Sequence, residues 1–175
     1  LSYSDLLLSI ASAEWQDRDA REEITSFVKE LNGIGGGFNL NKDFVLKNCL
    51  VLTDKEIAFK VENFSEATLR DIEVAWLDIT KAIKAAVVLV ASLGYQRDTL
   101  TSSNAIVPIA YYLKKIGSPE NFHIARAFEE DRKKISKWLR MALLKRTFSG
   151  QPDNVLRPMR DVIRDCDNNF PIESL

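Results

Sequence analysis

Lys81-Ala82-Ile83-Lys84-Ala85-Ala86-Val87-Val88-Leu89-Val90-Ala91-Ser92-Leu93-Gly94 is the stretch whose reading decides the fold. From Ala85 to Ala91 it is apolar on every side, and a helix apolar all round is a buried helix. Upstream, Leu69, Ile72, Trp76, Ile79, Ile83, Ala86, Val87 and Val90 continue one stripe with gaps of mostly three and four. Arg70, Asp71, Asp78 and Lys81 fall away from that stripe, so the first half is amphipathic. The spacing predicts one helix over Ser65–Leu93, opened by Asn63 with Glu66 as a capping box or by Ser65 itself, and closed by a left-handed Gly94. The apolar run is too short, and too closely preceded by Lys81 and Lys84, to span a membrane. The remaining helices are expected to wrap around residues 82–93.

Working toward the N-terminus, Ser4 is placed to cap a first helix from Asp5 to about Ala13, with Leu6, Leu7 and Ile10 on its apolar face. Asp19 caps a second helix over residues 20–32 that buries Ile24, Phe27, Val28 and Leu31. Gly33-Ile34-Gly35-Gly36-Gly37 follows, and Asn39 or Asn41 opens a third helix to about Leu52. A glycine-rich turn before a helix can cradle phosphate. Here no strand precedes it and no Gly-Lys-Ser/Thr follows, so a helix end and a turn are expected. Thr53–Val61 is the least helical stretch, with Ile57 and Phe59 placed for a local extension.

Toward the C-terminus, Thr101, Ser102 or Ser103 caps a fifth helix over residues 104–115, with Pro108 marking a kink or a start just before it. A sixth runs from about Ala125 to Arg146, burying Ile135, Trp138, Leu139, Ala142 and Leu143. Met141 and Leu144 point elsewhere and call for a second apolar neighbour. Asp153 caps a seventh helix to about Asp165, and Asn168–Leu175 reads as a tail. The expected fold is all-α: an irregular bundle of about seven helices around a buried central one, with residues 1–170 as a single domain and 171–175 as a tail.

At 175 residues and 46% hydrophobic, the chain has material for one sizeable core. Its net charge is only −1, but residues 132–164 carry ten basic side chains against Asp153 and Asp161 alone. Lys133, Lys137 and Arg140 form one ridge; Arg157, Arg160 and Arg164 form another. Such ridges contact the phosphates of a nucleic acid if they face one way, or they are solvated and pair with the acidic N-terminal part.

The chemistry-bearing residues exclude more than they include. One histidine, His123, rules out a His-Asn-His nuclease centre and a multi-histidine metal site. Two distant cysteines, Cys49 and Cys166, make no zinc knuckle; each is expected as a small thiol within a helix, in a reducing compartment. Glu22-Glu23 and Glu129-Glu130-Asp131 are adjacent, which suits a solvated helix start better than acid–base pairing. No catalytic motif, metal site or cofactor site is expected, and an improvised enzyme pocket would have to draw on Tyr111, Tyr112 and His123. Leu6-Leu7-Leu8, preceded by Asp5, is too short for a secretory signal.

Several tracts together resemble one family: Leu1–Ile10, Ala20–Ile24, Lys42–Lys47, Leu100–Tyr112 with its Thr101-Ser102-Ser103-Asn104-Ala105-Ile106-Val107-Pro108, Trp138–Lys145 and Phe148–Arg157. They resemble the helical region that follows the ParB/sulfiredoxin-like domain of bacterial GmrSD-type restriction proteins, across most of the chain. The resemblance implies a cytoplasmic protein acting on foreign or modified DNA. The family's Asp-Gly-Gln-Gln-Arg segment and its His-Asn-His domain have no counterpart here, so no catalytic residue carries over. The chain begins at Leu1 rather than Met, and a longer parent with a ParB-like catalytic domain upstream is expected. A non-catalytic accessory domain touching DNA is the first expectation. A protein-interaction or homo-oligomerisation scaffold, with Met141 and Leu144 in the contact, is the alternative.

Overall fold

A computed structural model describes residues 3–175. Leu1 and Ser2, which open the first of the family-like tracts, lie outside the described residues. Seven α-helices form among the described residues and no strand does: α1 (Tyr3–Glu14), α2 (Ala20–Asn32), α3 (Lys42–Leu52), α4 (Glu66–Ser92), α5 (Ile106–Lys115), α6 (Glu129–Leu144) and α7 (Pro152–Asp165). No helix among them is long and apolar enough to cross a membrane. The fold is an all-α bundle.

α4 is the expected long helix. Ser65 is its cap, its Oγ accepting from the Thr68 N–H at 3.3 Å. The capping box on Asn63 does not form, because Asn63 closes the preceding short 3₁₀ turn and its amide donates to the Ala58 carbonyl at 2.5 Å. Gly94 is left-handed at φ +91, letting the Tyr95 N–H return to the Val90 carbonyl at 3.2 Å. Ala86, Val87, Leu89 and Val90 are all fully buried. The core is less single-centred than the sequence suggested. α5 buries every residue from Ile106 to Leu113, and α3 buries all from Phe44 to Leu52 except Lys47. α4 packs most extensively on α5, which also packs on α3 and α7. Pro108 stands in the first turn of α5, where its missing N–H has no intrahelical partner to lose.

α2 and α3 follow expectation, with Asp19 accepting from Arg21 and Glu22 N–H groups and Asn41 accepting from Phe44 N–H at 2.9 Å. The glycine turn between them is a packing device. Gly35, at φ +58, leaves so little room that a Cβ would sit 2.9 Å from the Ala91 Cβ on α4. The Gly37 carbonyl accepts from Arg97 N–H at 2.9 Å, tying the turn to the end of α4.

Four expectations need correction. α1 is already helical at Tyr3, so Ser4 lies inside its first turn, and Leu7, Leu8 and Ala11 form the buried face while Leu6 is 48% exposed. α6 is shorter than expected, since a 3₁₀ turn occupies 126–128 and Arg146 turns left-handed. Gln151 is the α7 N-cap residue; Asp153 lies within the first turn and pairs with Lys47 at 2.8 Å. Pro at the first helical position explains the shift. The tail is not a tail: Phe170 is 2% exposed, with its ring against Tyr112 and Trp138, and Ile172 and Leu175 pack on the core. Tail residues this apolar find a place because α5 and α6 leave a hole that Phe170 fills.

Candidate nucleic-acid interface

The first turn of α6 is acidic, and its first cations serve local structure. Lys133 lies 3.0 Å from both Glu129 and Glu130, and these carboxylates hold its ammonium above the usual range while Lys133 holds Glu129 below its own. Arg132 donates to the Phe122 and Ala125 carbonyls at 2.7 and 2.5 Å, closing the preceding loop. From Arg132 to Pro152 the sequence has no carboxylate. Lys134, Lys137, Arg140, Lys145 and Arg146 make no ion pair among the described residues, and all but half-buried Lys134 are exposed. Arg146 adopts φ +52 just past α6, where a cation also meets the negative end of the helix dipole. Met141 and Leu144 stand among them, 45% and 74% exposed. Met141 lines a cleft with Met159 and Ile172, while Leu144 stays largely open to solvent.

The α7 arginines are placed differently. Arg157 pairs with Glu56 and holds its carboxyl below the usual range. Arg160 is 9% exposed, donates to the Lys55 carbonyl at 2.5 Å, and sets its Nε 4.0 Å from Asp54. Arg164 pairs with Asp161 at 2.8 Å and Asp165 at 3.6 Å. Two of the three therefore clamp α7 onto the 54–56 turn. Asp54 reaches them because it ends α3 at φ +57, a left-handed position that aspartate tolerates. Of the six cations that sequence spacing singled out, only Lys137 and Arg140 face solvent without a carboxylate partner. The carboxylates near Arg157 and Arg160, Glu56 and Asp54, lie about a hundred positions earlier. No spacing rule within α7 could have found them.

The improvised enzyme pocket does not assemble. The Tyr111 hydroxyl donates to Asp54 at 2.8 Å and the Tyr112 hydroxyl to Asp131 at 2.6 Å. His123 lines a separate groove of about 720 Å³ between α2 and α4, with Phe27, Trp76, Leu77, Lys81 and Val88. Two polar groups of that groove are already paired: Glu23 accepts from the Trp76 indole at 2.8 Å, and Glu30 pairs with Lys84. No group of three His, Cys, Asp or Glu residues that could hold a metal occurs among the described residues. Cys49 is a buried free thiol whose burial pushes it up to about 12, and half-buried Cys166 lies just beyond α7 rather than within it.

Burial and a carboxylate acceptor push both tyrosine hydroxyls well above their usual range. The folded chain then holds these protons more tightly than the unfolded one, whose tyrosines ionise near pH ~10. Their contribution is complete below that pH and is lost progressively above it, as pH climbs toward the raised folded-state values. The urea midpoint is expected to fall from pH ~10 to ~11.5, and less steeply in Tyr112→Phe. A midpoint flat across that window would contradict the burial of these hydroxyls.

No protein-family model matches the chain, and no curated protein is significantly similar to it.

Proposed function

We propose that this chain is a non-catalytic helical accessory domain of a cytoplasmic bacterial DNA-targeting protein of the restriction or phage-defence kind. In this reading the α6 face contacts the phosphate backbone while a ParB-like domain outside these residues carries the chemistry. One observation carries the proposal: five successive cations from Lys134 to Arg146, none with a carboxylate partner among the described residues and no carboxylate between them in sequence. Such a face attracts phosphate without reading sequence, and its affinity falls steeply with salt. The resemblance to the GmrSD-type helical region supports the cellular setting.

A mobility-shift titration with duplex DNA tests it. Binding at low salt is expected, with log affinity against log salt sloping by about −0.9 per phosphate contacted. Lys137→Glu with Arg140→Glu should weaken binding by at least about tenfold, whereas Arg157→Glu, already turned toward Glu56, should change it by less than about threefold. Absent binding at low salt, or binding indifferent to the Lys137/Arg140 reversal, would sink the proposal. Exposed Met141 and Leu144 favour a second reading, a protein-interaction or homo-oligomerisation surface. A concentration-dependent mass in light scattering, with no DNA affinity, would select it.

A further inference from the structure

We propose that the α6 face takes single-stranded nucleic acid, with one unstacked base entering the cleft between α6 and the 171–175 segment. This rests on the phosphate-contact reading above and names its ligand. The cleft is about 240 Å³. Its floor is apolar, made by Trp138, Met141, Met159 and Ile172, and Lys137 and Lys145 stand on its α6 rim. These two lysines are eight residues apart, about 12 Å along a helix. Neither has a carboxylate partner among the described residues, and the neighbouring Arg140 and Arg146 add to the same field. Glu173 is the one acidic side chain lining the cleft, so the phosphates run along the lysine side.

The pairing of an apolar slot with a cationic rim decides between single strand and duplex. A duplex presents phosphates but keeps its base faces stacked inside, leaving Met141 and the cleft behind it against sugar and water. A single strand offers both chemistries at once, charged backbone for the rim and a flat apolar base for the slot. Methionine suits such an occupant because its thioether is polarizable and sits well against an aromatic ring.

Fluorescence anisotropy at low salt tests this with three labelled probes of about twelve nucleotides: oligo-dT, a duplex, and an abasic deoxyribose-phosphate strand. Oligo-dT should bind about tenfold more tightly than either other probe. Met141→Ser, at an exposed position that the fold does not need, should remove most of that margin and leave duplex affinity within about twofold. Lys145→Gln should weaken all three. Equal affinity for oligo-dT and duplex, or for oligo-dT and the abasic strand, would overturn the base cleft while leaving phosphate contact standing. Binding to none of the three would overturn both, and binding to anionic phospholipid vesicles in that case would assign the face to a lipid surface.

Discussion

Val87→Asp is expected to abolish cooperative folding at neutral pH. Val87 is fully buried on α4, the helix that packs most extensively on α5. Its neighbours Ile83, Ala86 and Val90 are equally buried, and Lys84, one turn earlier, is exposed and already paired with Glu30. A carboxylate there is an uncompensated buried charge, costing about 5 kcal/mol or more. Total stability of a domain this size is roughly 5–15 kcal/mol. The loss of the valine's own packing adds about 1–2 kcal/mol. Near-ultraviolet circular dichroism and urea unfolding would read the result as a lost or sharply advanced transition. Leu77→Asp is the control: it lies on the same helix, but Leu77 is 64% exposed, so its change should stay within about 0.5 kcal/mol. Two aspartates on one helix with such different consequences would locate the core on α4. Similar effects at both positions would mean that the α4–α5 pairing is wrong.

The features that were legible beforehand are those encoded within a few residues. Asp19 and Asn41 cap the helices they precede, Gly94 ends α4, and the α4 stripe from Leu69 to Val90 is buried. Each depends on a helical period or a single turn of backbone, which the sequence carries locally. The exposed, unpaired state of Lys137 and Arg140 was legible for the same reason, since no carboxylate lies near them in sequence. Four features were not. Arg160 looks like a surface cation at helical spacing, yet its partner is the Lys55 carbonyl, 105 positions away. Asp131 looks like part of a solvated acidic start, yet it is 8% exposed and faces Tyr112 and Phe170. Phe170 sits in a polar C-terminal segment with no period at all, and only the hole between α5 and α6 shows where it belongs. Leu6 and Leu7 differ by one residue, a rotation of about 100° on a helix, and the stripe of a short helix cannot fix that phase.

Asp131 is the second position at which one substitution should matter greatly, through a contact rather than a cavity. Its carboxylate accepts from the Tyr112 hydroxyl at 2.6 Å through one oxygen and from the Phe170 N–H at 3.0 Å through the other. It thereby joins α6 to α5 and to the last nine residues. Removing it in Asp131→Ala leaves the buried Phe170 N–H without its acceptor and the Tyr112 hydroxyl with only the Asn168 carbonyl at 3.2 Å; a charge-assisted bond contributes about 1.5–3 kcal/mol, so a loss of about 2–3 kcal/mol is expected. Asp131→Asn keeps one acceptor but turns an N–H₂ group toward one of the two donors, so it should lose about half as much. Phe170→Ala removes a ring that lies 5.3 Å from Tyr112 and 5.7 Å from Trp138, and should cost about 3–5 kcal/mol. The two positions hold one segment, so their effects should not add. Once Phe170 has left the core, its N–H no longer needs Asp131, and the double variant should be at least about 1 kcal/mol more stable than the sum predicts. Urea unfolding of the four chains measures this. Proteolysis gives an independent readout, because a released 167–175 segment becomes cleavable while α1 to α7 remain protected. Strict additivity, or an unchanged cleavage pattern in Asp131→Ala, would mean that the C-terminal residues pack without this carboxylate and that its burial serves α5 alone.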